Sequence, residues 1–309
     1  MKMKFKFNDV YKIKSGASHK KIYRFKNKNE GKIIVDFSYN HNDYLSFLEV
    51  NNFLSMINIS VPKIFDTDDN KSTIIMEDFG DSRYDKLIKS IDPKEILINA
   101  INSLIEIQNT KKPIVNKFLK QYDFSSFEIE IAEFADFYLP INNISKEVVD
   151  EFFYIWKSEF DNFNFNWDSF VHKDFELFNL IYLPQREGHL KCGIIDFQNA
   201  FIGFSGWDVF SLLENPRIYF ENKYNDELVE YFYKNTNQNV PFSEFLLQYY
   251  FLNTARQTRI IGRWINLDKK NNSNDYLKYL DVTVQRLQKS LYNLQNEKLS
   301  KLYEKIIVK

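Results

Sequence analysis

Two short segments hold polar residues whose types and spacing could do chemistry together. Phe170-Val171-His172-Lys173-Asp174-Phe175-Glu176-Leu177-Phe178-Asn179 contains the pattern H-x-D-x-x-x-x-N. After a turn, Gly193-Ile194-Ile195-Asp196-Phe197-Gln198-Asn199 presents a second carboxylate behind an apolar run. Phosphoryl transfer asks for such a set. One carboxylate orients an attacking hydroxyl and accepts its proton, and hard oxygen ligands hold the magnesium ions that bridge the phosphates. Asp174 is the candidate base, and Asn179 and Asp196 are the candidate metal ligands. Asp and Asn are common, so the weight lies in finding both segments together, each delivered by apolar residues to the tip of a short strand.

The rest of the chain must position these residues. Residues 1–80 read as a strand-rich unit. Residues 11–14 and 21–25 alternate around the turn Ser15-Gly16-Ala17-Ser18 and predict a hairpin, and a third strand follows over 32–37. Residues 43–58 carry apolar side chains at helical spacing (Leu45, Leu48, Phe53, Leu54, Ile57), and two more strands are expected at 61–65 and 72–76. From residue 81 to 309 helical periodicity dominates, over 92–110, 126–139, 145–161, 225–235, 241–266 and 273–309, with a short extended island at 170–204. Asp92-Pro93 suits a helix start. This order suits the α+β class: a small N-terminal antiparallel β lobe with one helix (1–80), then a larger, mainly helical lobe (81–309) that carries the catalytic segment and the substrate pocket.

The step from Asp174 to Asn179 matches the protein-kinase catalytic loop, and Asp196 stands where that loop's magnesium-binding Asp-Phe would follow. The chain resembles the aminoglycoside phosphotransferase and choline kinase superfamily, kinase-like enzymes acting on small molecules. The block from Ile195 to Gly203, followed by Trp207-Asp208-Val209-Phe210-Ser211-Leu212-Leu213, is similar to bacterial kinases of N-acetylmuramate and N-acetylglucosamine. Those enzymes act on the anomeric hydroxyl in cell-wall recycling. Ser15 to Ser18 with Tyr23-Arg24, and the run from Thr254 to Arg263, extend the likeness over nearly the whole chain. The resemblance implies a two-lobed protein-kinase-like fold, ATP and Mg2+ as cofactors, and an alcohol group on a small-molecule substrate as acceptor. It also implies that Asp174 is the base, that Asn179 and Asp196 bind magnesium, that His172 shapes the loop and that Asp208 braces it. Asp208 reads equally as a helix N-cap before 209–213. Choline, an aminoglycoside or homoserine are alternative acceptors, and a catalytically silent nucleotide-binding module is the other class of reading.

The nucleotide end departs from the kinase pattern. Kinases place a lysine on the third strand, paired to a glutamate on the following helix. Here that position falls near Val35 or Asp36, Glu49 on the helix is left without its partner, and Lys32 lies about 13 Å along the strand from Asp36. Arg24 on the neighbouring strand is the candidate replacement. Ser15, Gly16, Ala17 and Ser18 occupy the phosphate-loop position, and Glu77, Asp78 and Phe79 would form the linker that reads adenine. Gln198 and Asn199 are candidate sugar contacts, although the related sugar kinases carry an acid where this chain has Asn199. Arg256 and Arg259 are candidates to meet a carboxylate.

Composition sets limits on partners. Lys+Arg total 41 against Asp+Glu 42, a net charge of -1, so nothing draws the whole chain to nucleic acid or an anionic membrane. The lone Cys192 cannot form an internal disulfide and favours a reducing compartment, and the N-terminus has no apolar core of a signal peptide, so the expected location is cytoplasmic. The eight glycines form no G-x-x-x-x-G-K-[ST] or G-x-G-x-x-G motif, and the four histidines do not cluster at zinc-ligand spacing.

Overall fold

The computed structural model describes residues 9–13, 19–27, 31–110, 118–163, 165, 167–218, 222–271 and 275–307. Along the chain come β1 (Val10–Ile13), β2 (Lys21–Phe25), β3 (Lys32–Asp36), α1 (His41–Met56), β4 (Ile64–Asp68), β5 (Thr73–Glu77), α2 (Tyr84–Leu87), α3 (Pro93–Gln108), α4 (Phe124–Ile141) and α5 (Lys146–Asp161). There follow β6 (Ser169–Val171), β7 (Leu180–Tyr182), β8 (Cys192–Ile194), β9 (Phe201–Gly203), α6 (Trp207–Leu213), α7 (Asn222–Asn235), α8 (Phe242–Asn271), α9 (Leu280–Leu294) and α10 (Glu297–Ile306). The chain divides into two compact units. One gathers Met1–Leu119, His172–Phe201 and Glu230–Thr236, and the other gathers Lys120–Val171, Ile202–Val229 and Asn237–Lys309. The α+β class read from the sequence holds, with an antiparallel sheet first and a mainly helical remainder.

In the first unit the strands run antiparallel in the order β1-β2-β3-β5-β4. Alternation sorts their side chains. Val10, Phe25, Ile34 and Ile75 form a buried cluster on one face with Tyr23 against it. Ile22 and Arg24 fall on the other face, opposite Val35 and Ile33 in the β2–β3 register. Strand β4 begins later than the sequence suggests, because Pro62 has no N–H to give a ladder. Pairing starts at Ile64 and is irregular before Asp66. Helix α1 is capped by Asn40, whose side chain accepts from Asn42 N at 3.0 Å. Its inward residues are Tyr44, Phe47, Val50, Asn51, Phe53 and Leu54. The β7–β8 hairpin is anchored by three bonds within this unit. Ile194 N donates to Ser60 O (2.8 Å), Ser60 Oγ to Leu190 O (2.6 Å) and Ser103 Oγ to His189 O (2.9 Å).

In the second unit α4 and α8 cross closely at Gly262. Any Cβ there would lie 2.2 Å from the carbonyl oxygen of Glu133. The Glu133 carboxylate accepts from Arg263 (3.1 Å) and Asn266 (2.9 Å) beside this crossing. The helical stretch expected over 273–309 contains two α-helices, α9 and α10. Gln295 turns left-handed (φ 52) and Asn296 restarts the helix by accepting from Leu299 N at 2.9 Å. No helix among the described residues is long and apolar enough to cross a membrane.

Candidate active site

The catalytic segment belongs to the first unit and is a closed turn rather than a slack loop. Glu176 N and Asn179 Nδ2 both donate to the carbonyl of Asp174, each at 2.9 Å, and Asn179 N donates to Glu176 O at 2.8 Å. Phe175 and Leu177 point into the core and pin the turn from beneath. Asp174 itself is half-buried. Because the Asn179 amide nitrogen is committed to a carbonyl, its Oδ1 is the atom left to meet a cation. His172 is 1% exposed, and its Nε2 donates to Ile195 O at 3.1 Å. Burial pushes the His172 imidazole down from its ordinary value, so it serves as a neutral brace between the two polar segments.

Two non-glycine residues here adopt left-handed backbone, Lys173 (φ 78) and Asp196 (φ 70). Such conformations cost about 1 kcal/mol or more and persist where the surroundings hold them. Asp196 is held on both sides. Strand β8 is buried before it, and Phe197 after it stacks on Phe47 of α1 with ring centroids 4.6 Å apart. Ser46 Oγ of α1 donates to Gln198 O at 2.7 Å, fixing the next residue as well.

The Asp196 carboxylate accepts from the Lys20 ammonium, and from Gln198 Nε2 at 3.0 Å. Burial alone would push this carboxyl up, but the Lys20 charge and these two donors hold it below the usual carboxylate value. It is therefore ionised at neutral pH. An ionised carboxylate and an amide oxygen are hard donors, and they fit magnesium, which keeps several waters and takes further oxygens from substrate phosphates. Among the described residues no three His, Cys, Asp or Glu gather at one metal position. A site completed by the nucleotide is the arrangement these two residues suit.

The other expected residues fall as follows. Ser15, Gly16, Ala17 and Ser18 lie outside the described residues. Arg24 is clamped by two carboxylates. Its Nε lies 2.6 Å from Asp78 Oδ2, and its Nη1 donates to Asp81 Oδ2 at 2.8 Å. The Asp81 bond leads in raising the Arg24 pKa further. Arg24 thus ties β2 to the segment after β5. Glu77 accepts from Arg186 Nη2 at 3.0 Å and from Lys63 N at 3.2 Å. Phe79 lies under the Arg186 guanidinium (5.1 Å to the ring centre), and its ring fills the space above Gly193, where a Cβ would meet it at 2.8 Å. Glu49 sits on the exposed side of α1. Gln198 is buried, with its amide on Asp196, while Asn199 is exposed in the turn before β9.

In the second unit Asp208 is 1% exposed in the first turn of α6, whose N-cap is Gly206, so Asp208 lies inside the helix rather than capping it. On α8, Arg256 is buried and Arg259 lies 3.5 Å from Glu130.

Sequence reasoning passed over Lys20. Alternation along β2 carries the signal, because Lys20 continues the face of Ile22 and Arg24, whereas Lys21, Tyr23 and Phe25 share the other.

Residues 9–239 match the phosphotransferase enzyme family. An N-acetylmuramate/N-acetylglucosamine kinase from Caulobacter vibrioides is 24% identical over 266 residues, 77% of this chain and 69% of that protein. A choline/ethanolamine kinase family protein from Mesorhizobium loti superposes with a TM-score of 0.62 at 11% identity, over 96% of this chain and 92% of its own. An ADP-bound aminoglycoside phosphotransferase superposes with a TM-score of 0.58 at 15% identity, over 93% and 94% of the two chains. These likenesses fix the fold as that of small-molecule kinases. With three quarters of its length matched, the chain belongs to the phosphotransferase enzyme family and is an ATP-dependent kinase of a hydroxyl acceptor.

Proposed function

We propose that the acceptor is an amino sugar, N-acetylmuramate or N-acetylglucosamine, phosphorylated on its anomeric hydroxyl in cell-wall recycling. The observation that carries the choice of sugar is the Caulobacter relative of that name, aligned over 77% of this chain. The site supports the chemistry through the half-buried Asp174 carboxylate and the ionised, braced Asp196.

Asp174 receives the proton of the sugar hydroxyl as its oxygen forms the new bond to the γ-phosphorus, and the bond from that phosphorus to the β–γ bridging oxygen breaks, releasing ADP. The turn that closes on the Asp174 carbonyl keeps the carboxylate aimed, which lowers the orientational part of the barrier. Asn179 Oδ1 and Asp196 would hold magnesium, which would offset charge on the transferring phosphate. Asp196 needs its ionised form for this, and Lys20 and Gln198 maintain it. Glu77, Asp78 and Phe79 would border the adenine.

The test is phosphate transfer by wild type and Asp174→Asn over N-acetylmuramate, N-acetylglucosamine, choline, an aminoglycoside and homoserine, with the product's phosphate located by phosphorus NMR. An anomeric phosphate on an amino sugar is expected. Asp174→Asn should slow turnover by about 100-fold or more with ATP affinity retained. Turnover confined to choline, the aminoglycoside or homoserine would overturn the choice of sugar. Wild-type rates no higher than the variant's on every acceptor would remove the base assignment.

A further inference from the structure

We propose that Lys20, at the head of β2, is the residue that grips the phosphates of the bound nucleotide, the task a third-strand lysine performs in kinases. The inference rests on the kinase reading above and names a residue and a strand that reading did not.

Four observations converge. First, the third strand is blank where the lysine is expected. Val35 is 1% exposed and apolar, and Lys32 at the far end of β3 lies over the Phe65 ring, 5.0 Å from its centre. Second, Arg24 is committed to Asp78 and Asp81. Third, the sheet register puts Lys20 beside the vacated position. Ile22 is directly opposite Val35, and Lys20, the residue just before β2, stands two residues from Ile22, so continuing the alternation makes it the diagonal neighbour of Val35 on the same face. Diagonal neighbours stand about 7–8 Å apart, within reach of a long side chain. The cation has moved one strand sideways while its target region is kept.

Fourth, Lys20 is already directed at the metal-binding carboxylate. Its side chain is only 10% exposed, and its ammonium contacts Asp196 Oδ1. Keeping an ammonium this far from water is costly, and a buried ion pair is often no more stabilising than apolar side chains of the same size. A charge held here adds little to the fold, so its position against Asp196 points to a ligand. When Asp196 turns to a cation, the ammonium is set to pair with phosphate oxygens, a charge-assisted contact.

The experiment measures the affinity of the full chain for ATP, ADP and adenosine by calorimetry, in magnesium and in EDTA. The variants are Lys20→Met, Lys20→Arg and Arg24→Gln, with circular dichroism as the check of folding. Losing a charge-assisted bond to phosphate should weaken ATP and ADP about tenfold to a hundredfold in Lys20→Met, in EDTA as well as in magnesium. Adenosine, which has no phosphate, should bind as to wild type, and Lys20→Arg should keep most of the ATP affinity. Unchanged ATP affinity in Lys20→Met would overturn the proposal. So would an equal loss of ATP and adenosine, or a loss of ATP affinity larger in Arg24→Gln than in Lys20→Met. Wild type that binds neither ATP nor ADP would instead bring down the kinase reading itself.

Discussion

Replacing Gly262 by alanine sets two effects of opposite sign against each other. Gly262 lies within α8, and alanine is the better helix former by about 1 kcal/mol. Propensity alone therefore predicts a more stable protein. Packing predicts the reverse. The new Cβ would lie 2.2 Å from the carbonyl oxygen of Glu133, 2.5 Å from its carbonyl carbon and 2.6 Å from Phe134 N. All three are backbone atoms of α4, so no side chain can turn aside. Nonbonded heavy atoms sit best at about 3.5–4.0 Å, so the two helices must part by about 1 Å or more at this point. Parting loosens the buried Phe134 and Ile261, and pulls on the Glu133 carboxylate that accepts from Arg263 and Asn266. Overpacking costs about 1–3 kcal/mol, and backbone that cannot yield puts this site at the upper end. After the gain in propensity, Gly262→Ala should be destabilised by about 2 kcal/mol. Urea unfolding followed by tryptophan fluorescence measures it, as a lower midpoint with an unchanged slope. A variant as stable as wild type, or more stable, would refute the reasoning and show that helix propensity decides at this crossing.

The remaining predictions concern the linker and the acid limb of stability. A Cβ at Gly193 would meet Phe79 ring carbons at 2.8 Å and Leu183 Cδ1 at 2.9 Å, and these are side chains that can move at a cost. Gly193→Ala should lose about 1–2 kcal/mol and weaken ADP binding, and adding Phe79→Leu should recover part of the stability, so additive effects in a double-mutant cycle would count against it. Burial pushes the Glu159 carboxyl up, but Lys298 and Asn296 outweigh it and hold the pKa below its ordinary value. The stability this contributes is fully present above about pH 4.3, the unfolded value, and is lost as pH falls through the folded one. Glu159→Gln should therefore be about 1 kcal/mol less stable than wild type at pH 7, with the gap closing towards pH 3. A gap that widens in acid would contradict the assigned contacts.

Some of this was legible in the chain itself. His172, Asp174 and Asn179 lie within eight residues, so local spacing dictates that they share one turn, and the structure closes that turn on the Asp174 carbonyl. Alternation and helical periodicity likewise determined where most strands and helices lie, since a side chain's face follows from its place in a repeat. Tertiary structure decided what each polar atom meets. Lys20 and Asp196 are 176 positions apart, and no periodicity within either segment names the other. Which cation reaches Asp196 depends on the β2–β3 register and on how Phe197 is seated against α1. The same holds for Arg24, which a strand pattern shows as a basic residue on the right face but which Asp78 and Asp81 claim from the segment after β5. Glu49 makes the complementary point. Its place on the helix was readable, but the exposed face it occupies was set by the apolar residues that α1 buries. Sequence determines which face a residue can occupy, and packing between distant segments selects the partner on that face.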